Sequence, residues 1–122
     1  MGVGGEALAR KTRTGGPPRW QVPEIDAAAL HLARWVRHAL TALKAADPAR
    51  WVVALEPLVE PLEDGDLAAV GAASRRVRAL FGVGESVAEA LTLEDALALR
   101  EAADAALRAI ARYEARPTRR GG

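Results

Sequence analysis

DPARWVVALEPLVEPLEDGDLAAVGAASRRVRALFG, residues Asp47 to Gly82, is the stretch whose reading decides the fold. It reads as two helices meeting at a tight turn. Asp47 followed by Pro48 is a helix N-cap with proline at the first helical position, where a missing N–H costs nothing. Gly65 ends that helix, Asp66 caps the next, and Gly82 stands where a C-terminal glycine belongs. In the first arm Trp51, Val52, Leu55, Leu58, Val59 and Leu62 share one side. Pro57 and Pro61 interrupt it. Each removes a backbone donor and crowds the carbonyl four residues back, which predicts a kink near Ala54 to Pro57. In the second arm Leu67, Val70, Ala73, Val77, Leu80 and Phe81 point inward. Gly71 costs about 1 kcal/mol there relative to Ala and is expected to mark a close backbone crossing.

Outward from this hairpin the same periods recur. Ile25, Ala29, Leu32, Val36, Ala39, Leu40 and Leu43 make a buried stripe on a helix expected over Glu24 to Ala46, with Glu24 and Asp26 at its positive end. Leu30 and Trp35 widen that stripe, so this helix needs neighbours on more than one side. Ser86 to Leu91 reads as a short helical turn. Thr92 with Asp95 three residues on is a variant capping box opening a helix over Leu93 to Ala115. Ala96, Leu99, Ala103, Ala106, Leu107, Ile110 and Tyr113 line its inner side, and Asp104 with Arg108 makes an i,i+4 pair. The expected fold is all-α: a small, mainly antiparallel four-helix bundle with a Pro-kinked second helix and disordered basic termini. Its parts are a tail over 1–23, a helical bundle domain over 24–115 and a second tail over 116–122.

Composition sets outer limits. A chain of 122 residues fits one domain with a core of useful size. Half its residues are apolar and only 4% are aromatic, so alanine carries much of the apolar share and helix is favoured over sheet. The Ala, Arg, Gly and Leu runs look like a GC-rich bacterial coding sequence. With no Cys, disulfides and thiol chemistry are excluded. No transmembrane segment is expected, since no apolar run approaches the ~20 residues of a span. The N-terminus has no apolar signal region, which makes the cytoplasm the expected location. Arg10, Lys11, Arg13 and Arg19 against Glu6, and Arg112, Arg116, Arg119 and Arg120 against Glu114, make both ends basic and leave an acidic body. Trp20 stands out in the Gly- and Pro-rich N-terminal segment and is expected to pack on the body as a lid.

No catalytic, cofactor-binding or metal-ligating residue emerges, no small-molecule substrate is evident, and the chain is not expected to be an enzyme. His31 and His38 lie seven apart, roughly 10 Å along a helix, too far to share one zinc ion. Gly82-Val83-Gly84 lacks the Lys and Ser/Thr of a phosphate loop. The terminal Gly121-Gly122 is the ending of ubiquitin-like modifiers, but no strand pattern precedes it. What remains is a candidate partner surface: Glu56, Glu60 and Glu63 of an acidic cluster, and Arg75, Arg76 and Arg78 on the following helix. The preferred reading is a non-catalytic protein-interaction component, binding a protein partner or itself. The alternative is a nucleic-acid or anionic-surface adaptor using the basic tails and the Arg75–Arg78 patch, which three arginines without interleaved aromatics support only weakly.

Arg50-Trp51, the apolar positions Leu55, Leu58 and Leu62, Gly65-Asp66, Ala72 and the Arg-rich helix to Leu80 resemble the CATRA-associated small proteins. Those are small helical components of bacterial conflict systems, encoded beside a CATRA protein and a caspase-like peptidase carrying TPR repeats. The resemblance implies a non-catalytic accessory subunit that works through partner proteins, and it supplies no catalytic residues. Pro57, Pro61 and the glycine-rich N-terminus have no counterpart in that pattern.

Overall fold

A computed structural model describes residues 18–46, 49–82 and 86–115, and every regular element among them is helical. A 3-10 turn at Arg19–Gln21 leads into α1, Pro23–Ala46. The second arm is α2, Ala49–Leu55, then a 3-10 turn Glu56–Leu58, then α3, Val59–Asp64. Leu67–Ala79 forms α4, and α5 spans Leu93–Ala115 after a 3-10 turn at Val87–Ala90. The helix cap at Asp47-Pro48 and the loop over Val83-Gly84 lie outside the described residues, as do both outer tails, Gly121-Gly122 included.

Pro57 acts as expected, but Pro61 does not interrupt the arm: it stands in the first turn of α3, where its missing N–H has no intrahelical acceptor to lose. Pro57 has no N–H for the carbonyl four residues back, so the ladder tightens into a 3-10 turn in which Val59 donates to the Glu56 carbonyl. Leu55, Leu58 and Val59 all keep right-handed helical dihedrals, so the chain bends without leaving helical space. α2 and α3 therefore fill one position of a four-helix bundle.

Side-chain pairs between helices give the directions. Glu24 at the start of α1 pairs with Arg112 near the end of α5, while His38 late in α1 meets Asp95 early in α5. Arg37 meets Glu63, and Lys44 meets Glu56. Arg78 meets Asp104, and Gly71 lies beside Ile110. Each set runs antiparallel. The cyclic order is α1, α2 with α3, α4, α5, closing back on α1.

Ile25, Leu32, Val36 and Leu43 of α1 are fully buried together with Leu55, Leu62, Val70, Val77, Val87 and Leu99. Ala29, Ala33, Ala39, Ala102, Ala103, Ala106 and Ala109 fill the spaces between them. Alanine at these positions lets helix axes approach closely. The apolar arc of α1 does contact every other helix of the bundle. Leu30 and Leu97 fall outside the core, both exposed.

Capping at the central turn is as expected for Asp66, whose carboxylate accepts from the Ala69 N–H at 2.9 Å. Thr92 likewise accepts from Asp95 N–H at 3.1 Å. Gly65 is needed for space, not for a left-handed backbone: its φ of −75° and ψ of 165° are extended. A Cβ there would stand 2.6 Å from the Pro61 carbonyl oxygen and 2.7 Å from the Ala69 Cβ. Gly71 is the reverse, and the expected close crossing is corrected. A Cβ at Gly71 would meet only the Arg75 guanidinium at 3.5 Å and Ile110 Cδ1 at 3.8 Å, which are ordinary contacts. Asp104 and Arg108 do not pair with each other either. Asp104 accepts from Arg78 and Arg108 reaches Glu101, because a half-buried partner on α4 outcompetes an exposed one on the same helix.

Two glycine variants should therefore move in opposite directions in chemical denaturation. Gly71→Ala is expected to stabilise by about 0.5–1 kcal/mol, through helix propensity and a less flexible unfolded chain. Gly65→Ala is expected to destabilise by about 1–3 kcal/mol, because the backbone carbonyl of Pro61 cannot yield cheaply. Ser74, fully buried with its hydroxyl unpartnered, should give about 1 kcal/mol of added stability as Ser74→Ala.

Candidate functional site

Between α1 and the α2–α3 arm runs an open groove of about 700 Å³, floored by Leu40 and Val59. Arg37, Thr41 and Lys44 form one wall, and Glu56, Glu60 and Glu63 the other. Arg37 grips Glu63 with both arms of its fork, Nε to Oε2 at 2.6 Å and Nη2 to Oε1 at 2.9 Å. The hydrogen bond from Arg37, joined by its charge, holds the Glu63 carboxyl below the usual carboxylate range. Bonding to Glu63 and its charge raise Arg37 further in turn. Lys44 reaches Glu56 at 3.5 Å. Glu60 stands exposed between them with no ion pair among the described residues.

On α4 the three arginines separate. Arg78 is half-buried and donates from Nε to Asp104 Oδ1 at 2.8 Å, tying α4 to α5. Arg75 lies one turn before it on the same side, over Gly71. Arg76 is about 100° further round the helix, and it and Arg75 are exposed without an ion pair among the described residues. The expected surface is therefore divided. Its glutamates face α1 and Arg78 faces α5, which lie on opposite sides of the second arm and α4 in the bundle order. Glu56, Glu63 and Arg78 are engaged in holding helices together, and Glu60, Arg75 and Arg76 remain open to solvent.

His38 Nε2 lies 3.2 Å from Asp95 Oδ1, and its ring meets Trp35 edge-on at 5.1 Å. His31 is exposed on the same helix. No group of three or more His, Asp or Glu side chains among the described residues is placed to hold a metal ion. None of the described helices is long and apolar enough to cross a membrane.

The residue that sequence reasoning missed is Arg19. Residues 18–23 were expected to belong to a disordered tail with Trp20 packed as a lid, and both expectations are corrected. Arg19 is buried at 7% exposure while Trp20 points outward at 70%. Its Nε donates to Asp26 Oδ1 at 2.6 Å, and Nη2 donates to the Leu62 carbonyl at 2.6 Å. Nη1 reaches the Gly65 carbonyl at 3.2 Å and the Pro61 carbonyl at 3.4 Å. The carbonyls of a helix's last turn have no partner within the helix, and a cation is favoured there. Arg19 supplies both donors and charge at the end of α3. In the sequence only the spacing of Arg19 and Asp26 hinted at it. The end of α3 that completes the site lies more than forty residues away.

No family model, curated protein or solved structure matches this chain. What the described residues define is a small all-α bundle.

Arg19→Ala should lower stability by about 2–3 kcal/mol, since charge-assisted hydrogen bonds are lost and the buried Leu62 carbonyl is left without its donor. Arg19→Lys should recover only part, because a point charge cannot span the same acceptors. The Arg37–Glu63 pair stabilises above the unfolded carboxylate pKa, and its contribution disappears as pH falls through the depressed value in the folded chain. Glu63→Gln should accordingly flatten the acid limb of a stability–pH profile and change neutral-pH stability only slightly, as expected of a surface pair.

Proposed function

We propose that the chain is a non-catalytic protein-interaction component, an accessory subunit of a bacterial conflict system as its resemblance to CATRA-associated small proteins implies. The observation that carries this reading is apolar surface left over once the core is closed. Leu93 is 75% exposed and Leu97 54% exposed, one turn apart on the outer side of α5. Large apolar side chains paired on an exposed helix face suit burial against another protein. The ionic groups support the same reading, because Glu56, Glu63, Arg78 and Asp95 are occupied in joining helices.

A second reading rests on Arg75 and Arg76, which are exposed without ion pairs among the described residues. They suit a nucleic acid or another anionic surface, contacted together with the basic ends of the chain. Affinity of that kind falls steeply with added salt, whereas apolar docking does not.

Sedimentation velocity at two widely separated concentrations, alone and with the products of neighbouring genes, tests the first reading. Leu93→Glu combined with Leu97→Glu is expected to weaken association about tenfold or more while leaving the melting temperature unchanged. A strictly monomeric chain that binds none of those products would sink it. Binding to duplex DNA that vanishes at high salt and on Arg75→Ala with Arg76→Ala would favour the second.

A further inference from the structure

We propose that the cleft between the start of α1 and the end of α3 is a guanidinium-binding site. The chain fills it with its own Arg19, and it accepts an arginine side chain from outside when Arg19 is withdrawn. This site is separate from Leu93 and Leu97, and its test does not depend on how those residues are used.

The acceptors match one chemical group. Asp26 offers a carboxylate to Nε, while the carbonyls of Pro61, Leu62 and Gly65 receive the two terminal nitrogens. All three nitrogens of a planar fork are used, in different directions. An ammonium presents its donors from a single point and cannot reach this set at once. The acceptors belong to the bundle and not to the strap that carries the arginine. Asp26 is in the first turn of α1, and the carbonyls belong to the last turn of α3 and the glycine after it. Gly65 is held in place by its own N–H bond to the Pro61 carbonyl at 2.9 Å, and Asp66 is committed to capping α4. The α3 end of the receptor is thus set by bonds that do not involve Arg19. The first turn of α1 is closed by backbone bonds from Ile25 and Asp26 to the Val22 carbonyl, which the loss of the Arg19 side chain leaves in place.

The ligand sits on a short strap. Of residues 19–22, only Arg19 and Val22 are buried, while Trp20 and Gln21 are exposed. A group tethered this closely has an effective concentration of about millimolar or higher. An outside arginine must exceed that concentration before it displaces Arg19 from the native chain, yet it binds at lower concentration once the side chain is removed. That difference is what a chemical-rescue experiment reads.

The experiment uses full-length Arg19→Ala and N-acetyl-arginine methylamide, with N-acetyl-lysine methylamide as the cation control. Melting of Arg19→Ala is expected to rise by about 5 °C at millimolar arginine analogue and to climb with the logarithm of its concentration, as binding to the folded state alone requires. The lysine analogue should give no such rise, and the native chain should not respond to either. Adding Asp26→Asn to Arg19→Ala should abolish the response. If Arg19→Ala is unfolded alone, recovery of helical circular dichroism with the arginine analogue is the readout. Equal effects of both analogues, no rise with the arginine analogue, or a chain that stays unfolded at the highest analogue concentration would each overturn the proposal.

Discussion

The apolar arc of α1 is the constraint on which the rest of the structure depends. From Ile25 to Leu43 it presents large side chains over too wide an angle for one neighbour to cover. Burying each of them stabilises by about 1.5–3 kcal/mol, so leaving part of the arc wet would forfeit much of the stability of a chain this size. The solution is to wrap the chain around α1. The kinked second arm covers one flank, α5 the other, and α4 closes the far side.

That wrapping explains the prolines. An unbroken helix from Ala49 to Asp64 would be straight or only gently curved. The 3-10 turn at Glu56–Leu58 changes its course while Leu55, Leu58, Val59 and Leu62 all stay buried. The bend has a consequence at the far end. It leaves α3 short, with its last carbonyls facing the start of α1, where Asp26 waits and Arg19 fills the space between. The bend in the second arm thus sets up the only charged group that the described bundle buries.

Charges bear on direction more than on stability here. Arg37–Glu63, Lys44–Glu56, Arg78–Asp104 and Glu24–Arg112 each join two helices. Most stand at the surface, where a pair contributes little free energy. A parallel α1–α5 pairing would set Glu24 against Glu94 and Asp95, so the Glu24–Arg112 pair favours the antiparallel one, whereas the acidic second arm attracts Arg37 and Lys44 in either direction. The helix-to-helix use of these residues also explains why the acidic cluster and the arginine patch do not amount to one surface. A helix wheel shows which residues are polar, but not which polar residue finds a partner on another helix.

Local chemistry was legible in the sequence because it depends on neighbours in the chain. The helical periods, the caps at Asp66 and Thr92, the bend at Pro57 and the helix over Leu93 to Ala115 all arise within a few residues, and the all-α bundle follows from them. The role of Arg19, the outward turn of Trp20, the ordinary fit at Gly71 and the choice of Arg78 over Arg108 by Asp104 were not legible. Each is decided by groups tens of residues away. Arg19 shows the reason most clearly. Its sequence context of glycines and prolines reads as loose chain, and only the approach of the α3 carbonyls makes a buried guanidinium stable there. Periodicity determines which elements form, and the meeting of their ends in space determines which side chains become sites.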